Sequence, residues 1–236
     1  MRPLHPLLLL LVLCALPALL PATTLAQAPT QPPAKNTAPS LTLEGDIPPS
    51  IAPIVGRMTT LFYECLPRLL ARFENPQKPA PRNIRLRFER ALKAPAMADR
   101  TSITVSIDWI EKHPEDIGLL THELTHIIQA YPSPNPGWIT EGIADYARLL
   151  YGPSSQPGWS LPSTLTPAQH YTNSYRVTAR FLLWLESTQP GSVDKIHRRM
   201  QAGGFREEEF TALAGAPIDQ LWQRCLAELQ TAQPAR

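Results

Sequence analysis

The chain has almost no net charge: 22 Lys and Arg stand against 20 Asp and Glu, a balance of +2. No strongly basic surface follows from that, which argues against nucleic acid as a partner. Cysteine is scarce, at 3 residues, so at most one disulfide can form and a disulfide-built scaffold is excluded. Glycine is also scarce, at 11. No internal repeat is visible, and only one long apolar run exists, Leu7 to Leu20. That run is too short for a spanning helix and Pro17 interrupts it. What the chain does have is a core: 43% hydrophobic residues exclude wholesale disorder. Its 236 residues suffice for one domain with a tail and fall short of two well-packed domains. It also has 27 prolines, 11 of them within residues 1–53. That clustering separates a tail from a body.

The tail begins with Arg2, the Leu7 to Leu20 run and the small-residue stretch Thr24-Leu25-Ala26. This order reads as a secretory signal peptide over residues 1–26. It predicts a secreted or periplasmic protein with no stable membrane anchor once the signal is cleaved. Residues 27–50 hold many prolines and few apolar side chains, and read as an extended spacer. The body is then 51–236. Removal of the signal takes Cys14 with it and leaves Cys65 and Cys225. In an oxidising compartment these two could pair and close a long loop. Two buried free thiols are the other reading, and spacing does not choose between them.

Within the body, Ile54 to Phe73 carries apolar residues at helical spacing, with Pro67 as a possible kink. Asn83 to Glu89 and Thr101 to Asp108 alternate as half-buried strands. Pro114 suits a first helical turn, and the stripe Ile117, Leu120, Leu124, Ile127, Ile128 predicts a helix that Pro132 ends. A second helix is predicted from Trp138 to Tyr151. Thr166-Pro-Ala-Gln169 has the form of a capping box and predicts a helix from there to Leu185. Helical stretches near Val193 to Gln201 and Pro217 to Gln230 close the chain. Strands followed by helices make an α+β domain.

The first of the paired helices carries His122-Glu-Leu-Thr-His126. Residues i and i+4 share a helical face, so both imidazoles can hold one Zn²⁺. Glu123 stands beside the first of them, where a carboxylate can take a proton from a water and pass it to a leaving amine. Zinc in a catalytic site needs a third protein ligand and an open position. A variant with a third histidine downstream would place Gly and His at positions 129 and 132, and this chain has Gln129 and Pro132. Glu141, 15 residues after His126 on the second helix, is the candidate third ligand. Asp145, one turn further, can accept a hydrogen bond from a ligating imidazole and fix its tautomer. Pro132, Pro134 and Pro136 would stiffen the turn between the two helices.

Four ordered motifs carry a resemblance. They are His122-Glu-Leu-Thr-His126-Ile-Ile-Gln129, Trp138-Ile-Thr-Glu141-Gly-Ile-Ala-Asp145-Tyr-Ala-Arg148, Tyr175-Arg-Val-Thr-Ala-Arg180-Phe-Leu182 and Ile218-Asp-Gln-Leu-Trp222. Over about residues 45 to 230 the chain resembles the plant basic secretory protein family, with its bacterial and fungal relatives. The resemblance implies a zincin-type metallopeptidase domain, its His-Glu-x-x-His helix under a small sheet, and an extracytoplasmic hydrolase of peptides or proteins. The near-neutral charge departs from the adjective "basic".

Softer candidates accompany these. Tyr175 can donate a hydrogen bond to a substrate oxyanion, although helical spacing also suits a tyrosine at the edge of the core. His170 is similar. Arg176 and Arg180 suit a salt bridge or a substrate carboxylate. His113 and His197 read as solvated, and Trp138, Trp159, Trp184 and Trp222 as packing. The expectation is a zinc-dependent endopeptidase. Its rivals are a secreted binding or defence protein stapled by a structural zinc, and a cell-wall peptide amidase with the same catalytic set.

Overall fold

Alternation in β2 (Asn83–Glu89) sends Ile84, Leu86 and Phe88 into the core and leaves Arg85 and Arg87 toward the other side. The computed structural model describes residues 38–231, and β2 lies near the middle of its four-stranded sheet. The order is β1 (Ser40–Glu44), β2, β4 (Ser102–Ser106), β3 (Ala96–Asp99). β1 and β4 flank β2 in parallel, and β3 runs antiparallel to β4 at the edge.

β1 corrects the expected spacer. Residues 40–44, read as part of an extended tail, pair with β2 from Ser40 opposite Asn83 to Glu44 opposite Arg87. Arg87 Nε donates to Glu44 at 2.5 Å across this pair. Parallel pairing needs only backbone groups and five residues, so proline on either side does not prevent it. The body therefore starts before residue 51. The expected signal peptide and residues 27–37 of the spacer lie outside the described residues.

The α+β expectation holds. α1 (Ala52–Phe73) buries Ile54, Met58, Leu61, Phe62, Leu66, Leu69 and Phe73 along one face. Pro67 does not interrupt it: it sits on the exposed face, where water can reach the carbonyl that loses its amide. Cys65 and Cys225 are both buried and unpaired, so the possible disulfide is not formed. Burial pushes each thiol up to about 12, and both pack as small apolar side chains.

The strand expected to Asp108 stops at Ser106, whose Oγ accepts from the Trp109 amide at 3.3 Å and caps α2 (Ile107–Lys112). Pro114 stands in the turn after α2 rather than inside a helix, and α3 (Leu119–Gln129) begins five residues later. Ala130, in the left-handed conformation, ends α3. The proline-rich turn leads into α4 (Gly137–Tyr151), where Thr140 Oγ1 donates back to Asn135 at 2.8 Å. The Thr166 motif does not start a helix. Gln169 accepts from the Thr166 amide at 2.8 Å, but the chain turns instead, and α5 (Tyr175–Thr188) starts after a short 3₁₀ turn. α6 (Ser192–Ala202), α7 (Phe210–Ala214) and α8 (Ile218–Thr231) complete the chain.

His197 is not solvated. It is buried on α6, where its Nδ1 accepts from the Tyr131 hydroxyl at 2.7 Å and its Nε2–H donates to Phe73 O at 2.8 Å. Gln201 donates to the same carbonyl at 2.9 Å, so the free C-terminal end of α1 is capped from α6. α4 and α5 approach closely because Gly142 has no side chain. A Cβ there would lie 2.2 Å from Thr178 Cγ2. That approach brings the start of α5, with Tyr175, beside α3 and α4.

Candidate metal centre

α3 is the central helix. All of its residues except His126 are buried, and it packs on α1, α4 and β3. A surface helix with two solvated histidines is therefore excluded. From it His122 and His126 face α4, and Glu141 meets them from that helix. His122 Nε2 lies 3.0 Å from His126 Nε2 and 3.1 Å from Glu141 Oε2, and His126 Nε2 lies 3.4 Å from the same oxygen. These three residues form the one group among those described whose donor atoms can hold a metal ion.

The partners behind the imidazoles fix which nitrogens carry hydrogen. His122 Nδ1 lies 2.7 Å from Asp145 Oδ1, a carboxylate that can only accept, so Nδ1 is the donor. Asp145 is buried and stands one turn beyond Glu141 on α4, as expected. His126 Nδ1 lies 2.9 Å from Gln129 Oε1. The amide end of Gln129 donates to Thr140 O at 3.0 Å, so its oxygen must face the ring and His126 Nδ1 is a donor too. Both Nε2 atoms then present lone pairs to each other and to a carboxylate oxygen. Three acceptors at 3.0–3.4 Å repel unless a cation or a proton sits among them. Two ligands each about 2.05 Å from a tetrahedral ion lie roughly 3.3 Å apart, so the donor set fits Zn²⁺.

In the sequence pattern Gln129 stands only where the variant with a third histidine would carry its glycine. Its position three after His126 puts it on the same helical face, which is the signal that marks it as the ring's partner. It also holds the carbonyl immediately before Glu141. One side chain thus ties a histidine to the helix turn that bears the carboxylate.

The electrostatics agree with a site built around positive charge. Burial alone would push His122 down, but Asp145 and Glu141 outweigh it and hold the imidazole up at about 9. Burial opposes ionisation of Glu141, yet the two histidines outweigh it and hold its carboxyl down at about 2. Glu123 points into the same cleft and is nearly buried, and burial raises its pKa against the pull of His122 and His126.

The cleft has a volume of about 920 Å³. Tyr175 stands at its mouth, 55% exposed, with its ring stacked on His122 at 6.1 Å between centroids. It is not a core-edge tyrosine. Ser174 and Tyr175 both have positive φ, 64° and 48°, so the entry to α5 is held in a strained conformation that aims the phenol at the cleft. Glu141 and burial raise its pKa and keep it protonated. Arg148 is buried in the wall, bonded to Asp116 at 2.5 Å and to Gln156 at 2.8 Å, and lies over the Trp159 ring. Arg176 lines the cleft, and neither it nor Arg180 forms an ion pair among the described residues, against the salt bridge expected for them. His170 is exposed and caps the 3₁₀ turn beside Tyr171, outside the cleft.

Residues 74–224 match a family described as a peptidase of plants and bacteria, designated BSP. No curated protein and no solved structure matches the chain.

Proposed function

Because the chain belongs to that family of peptidases, its substrates are peptides, and we propose that it hydrolyses them with a zinc ion held by His122, His126 and Glu141. Two imidazoles and a carboxylate suit zinc better than Mg²⁺ or Ca²⁺. Bound there, Zn²⁺ supplies Lewis acidity and brings the pKa of a water towards about 7. The observation that carries the reading is the convergence of two imidazole nitrogens, whose tautomers follow from Asp145 and Gln129, on one oxygen of Glu141.

The chain's own residues do the rest. Glu123 takes a proton from the attacking water and delivers it to the amine that leaves. Its raised pKa suits a group that must hold that proton between the two steps. The Tyr175 phenol, kept protonated at the mouth, donates to the oxyanion that develops on the substrate carbonyl. Asp145 holds the His122 ring in place, and Gln129 holds that of His126. The wide cleft leaves room for a peptide on either side of the site, which favours an endopeptidase. A site whose only role was structural would close with a fourth protein ligand and would have no use for a buried glutamate facing the cleft. No helix among the described residues is long and apolar enough to cross a membrane. With the signal-like N-terminus, the reading places the enzyme outside the cytoplasm.

The test is hydrolysis of a denatured protein before and after treatment with a chelator. Activity should vanish with the metal and return with one equivalent of Zn²⁺. Full activity in chelator would exclude the proposal.

A further inference from the structure

A neighbouring hollow shares part of the cleft's wall. A second cavity, of about 500 Å³, shares His126 and Ala98 with the first. Its walls are apolar, built from Pro79, Ala80 and Pro81 before β2 and from Ile127 on α3. Lys78 and Arg100 line it as well, both exposed. Among the described residues neither side chain has a hydrogen-bond or ion-pair partner, and no acid lines this cavity. The first cavity has the opposite character. Glu115, Asp116, Glu123, Glu141 and Asp145 line it, and Arg148, one of its two arginines, is engaged by Asp116. A peptide lying across the metal centre would therefore pass from an acidic chamber into an apolar hole bordered by two free cations.

We propose that the second cavity is a specificity site. It takes an apolar side chain next to the scissile bond, and Lys78 and Arg100 hold a carboxylate of the peptide just beyond it. The inference rests on the peptidase reading of the cleft and adds the substrate class. Apolar walls favour an apolar side chain in proportion to the area removed from water. In an extended peptide, residues advance about 3.3 Å each, so the next one or two positions reach the rim where the cations stand. The carboxylate has two possible sources, an acidic side chain or the free C-terminus of the substrate, and the chemistry at the rim is the same for both.

Peptides of one common sequence separate these sources: a free C-terminus, an amidated C-terminus, an internal Glu and an internal Lys, each following an apolar residue. The zinc-loaded full chain is assayed, and mass spectrometry locates the cut. Two exposed charge pairs of ordinary strength predict a kcat/KM ratio of roughly tenfold for carboxylate over Lys, on one side of the cut only. Raised salt should shrink that ratio. In the double variant Lys78→Glu, Arg100→Glu the ratio should invert, because the changes are on exposed side chains and leave the metal group untouched. Loss of the preference on amidation alone identifies a terminal carboxylate, and its persistence with internal Glu identifies an acidic side chain. Either result supports the site. Peptide hydrolysis that continues in the double variant with an unchanged ratio overturns it. Failure of the wild-type chain to cleave any peptide would instead sink the peptidase reading beneath it.

Discussion

His197 offers a quantitative test of how α6 is held to the body. It is buried, neutral and fully bonded, with Phe73 O accepting from one nitrogen and Tyr131 donating to the other. Burial is the largest influence on it and lowers its pKa from 6.5 to about 4, against a smaller upward pull from Phe73 O. The unfolded chain takes up this proton near pH 6.5, whereas the folded one resists until about pH 4. The stabilisation is thus complete above pH 6.5, declines as pH falls, and is exhausted below about pH 4. The full displacement is worth about 3 kcal/mol, of which about 2 kcal/mol is lost between pH 7 and pH 5. The comparison is His197→Gln, whose amide can still donate to Phe73 O and accept from Tyr131 but does not titrate. Urea denaturation of the metal-free proteins at pH 7 and pH 5 gives the difference directly. Wild type should lose about 2 kcal/mol more than the variant over that interval. Parallel losses would refute the assignment of His197 as a buried neutral base.

Other consequences concern the metal centre and its supports. Asp145→Ala and Gln129→Ala each remove a partner that orients an imidazole, and should weaken zinc binding roughly 10- to 100-fold, or about 1.4–2.7 kcal/mol, in a competition titration. Unchanged affinity in both would mean that the tautomers are set elsewhere. Gly142→Ala places a Cβ against Thr178 and should cost about 1–3 kcal/mol by thermal denaturation, despite alanine's better helix propensity. A variant as stable as wild type would show that α4 and α5 can part without loss.

The helices and the site were legible for one reason: their signals are local and periodic. His122, His126 and Glu123 announce themselves by spacing on one helix, and Asp145 by lying one turn beyond Glu141. β3 carried no such signal, since Ala96-Met-Ala-Asp99 has neither β-branched residues nor strong alternation. β1 was hidden by the prolines around it and is held by backbone pairing with a strand some forty residues away. The Thr166 motif shows the limit of local chemistry. Its turn forms one bond of a capping box, yet no helix follows, and the chain enters the short 3₁₀ turn at Tyr171–Asn173 instead. His197 read as solvated because its partners, Tyr131 and Phe73, are distant in sequence and only the fold brings them together. Tyr175 could not be assigned to core or cleft by periodicity, since its position depends on how closely α4 and α5 pack at Gly142.

The central claim is that Glu123 moves protons beside a zinc ion held by His122, His126 and Glu141. Glu123→Gln keeps the shape and burial of the side chain and removes its basicity. Metal analysis should find one zinc per chain in both proteins, and hydrolysis of a peptide substrate should fall by about 10²- to 10⁴-fold in the variant. A zinc-loaded variant that cleaves at the wild-type rate would contradict the account.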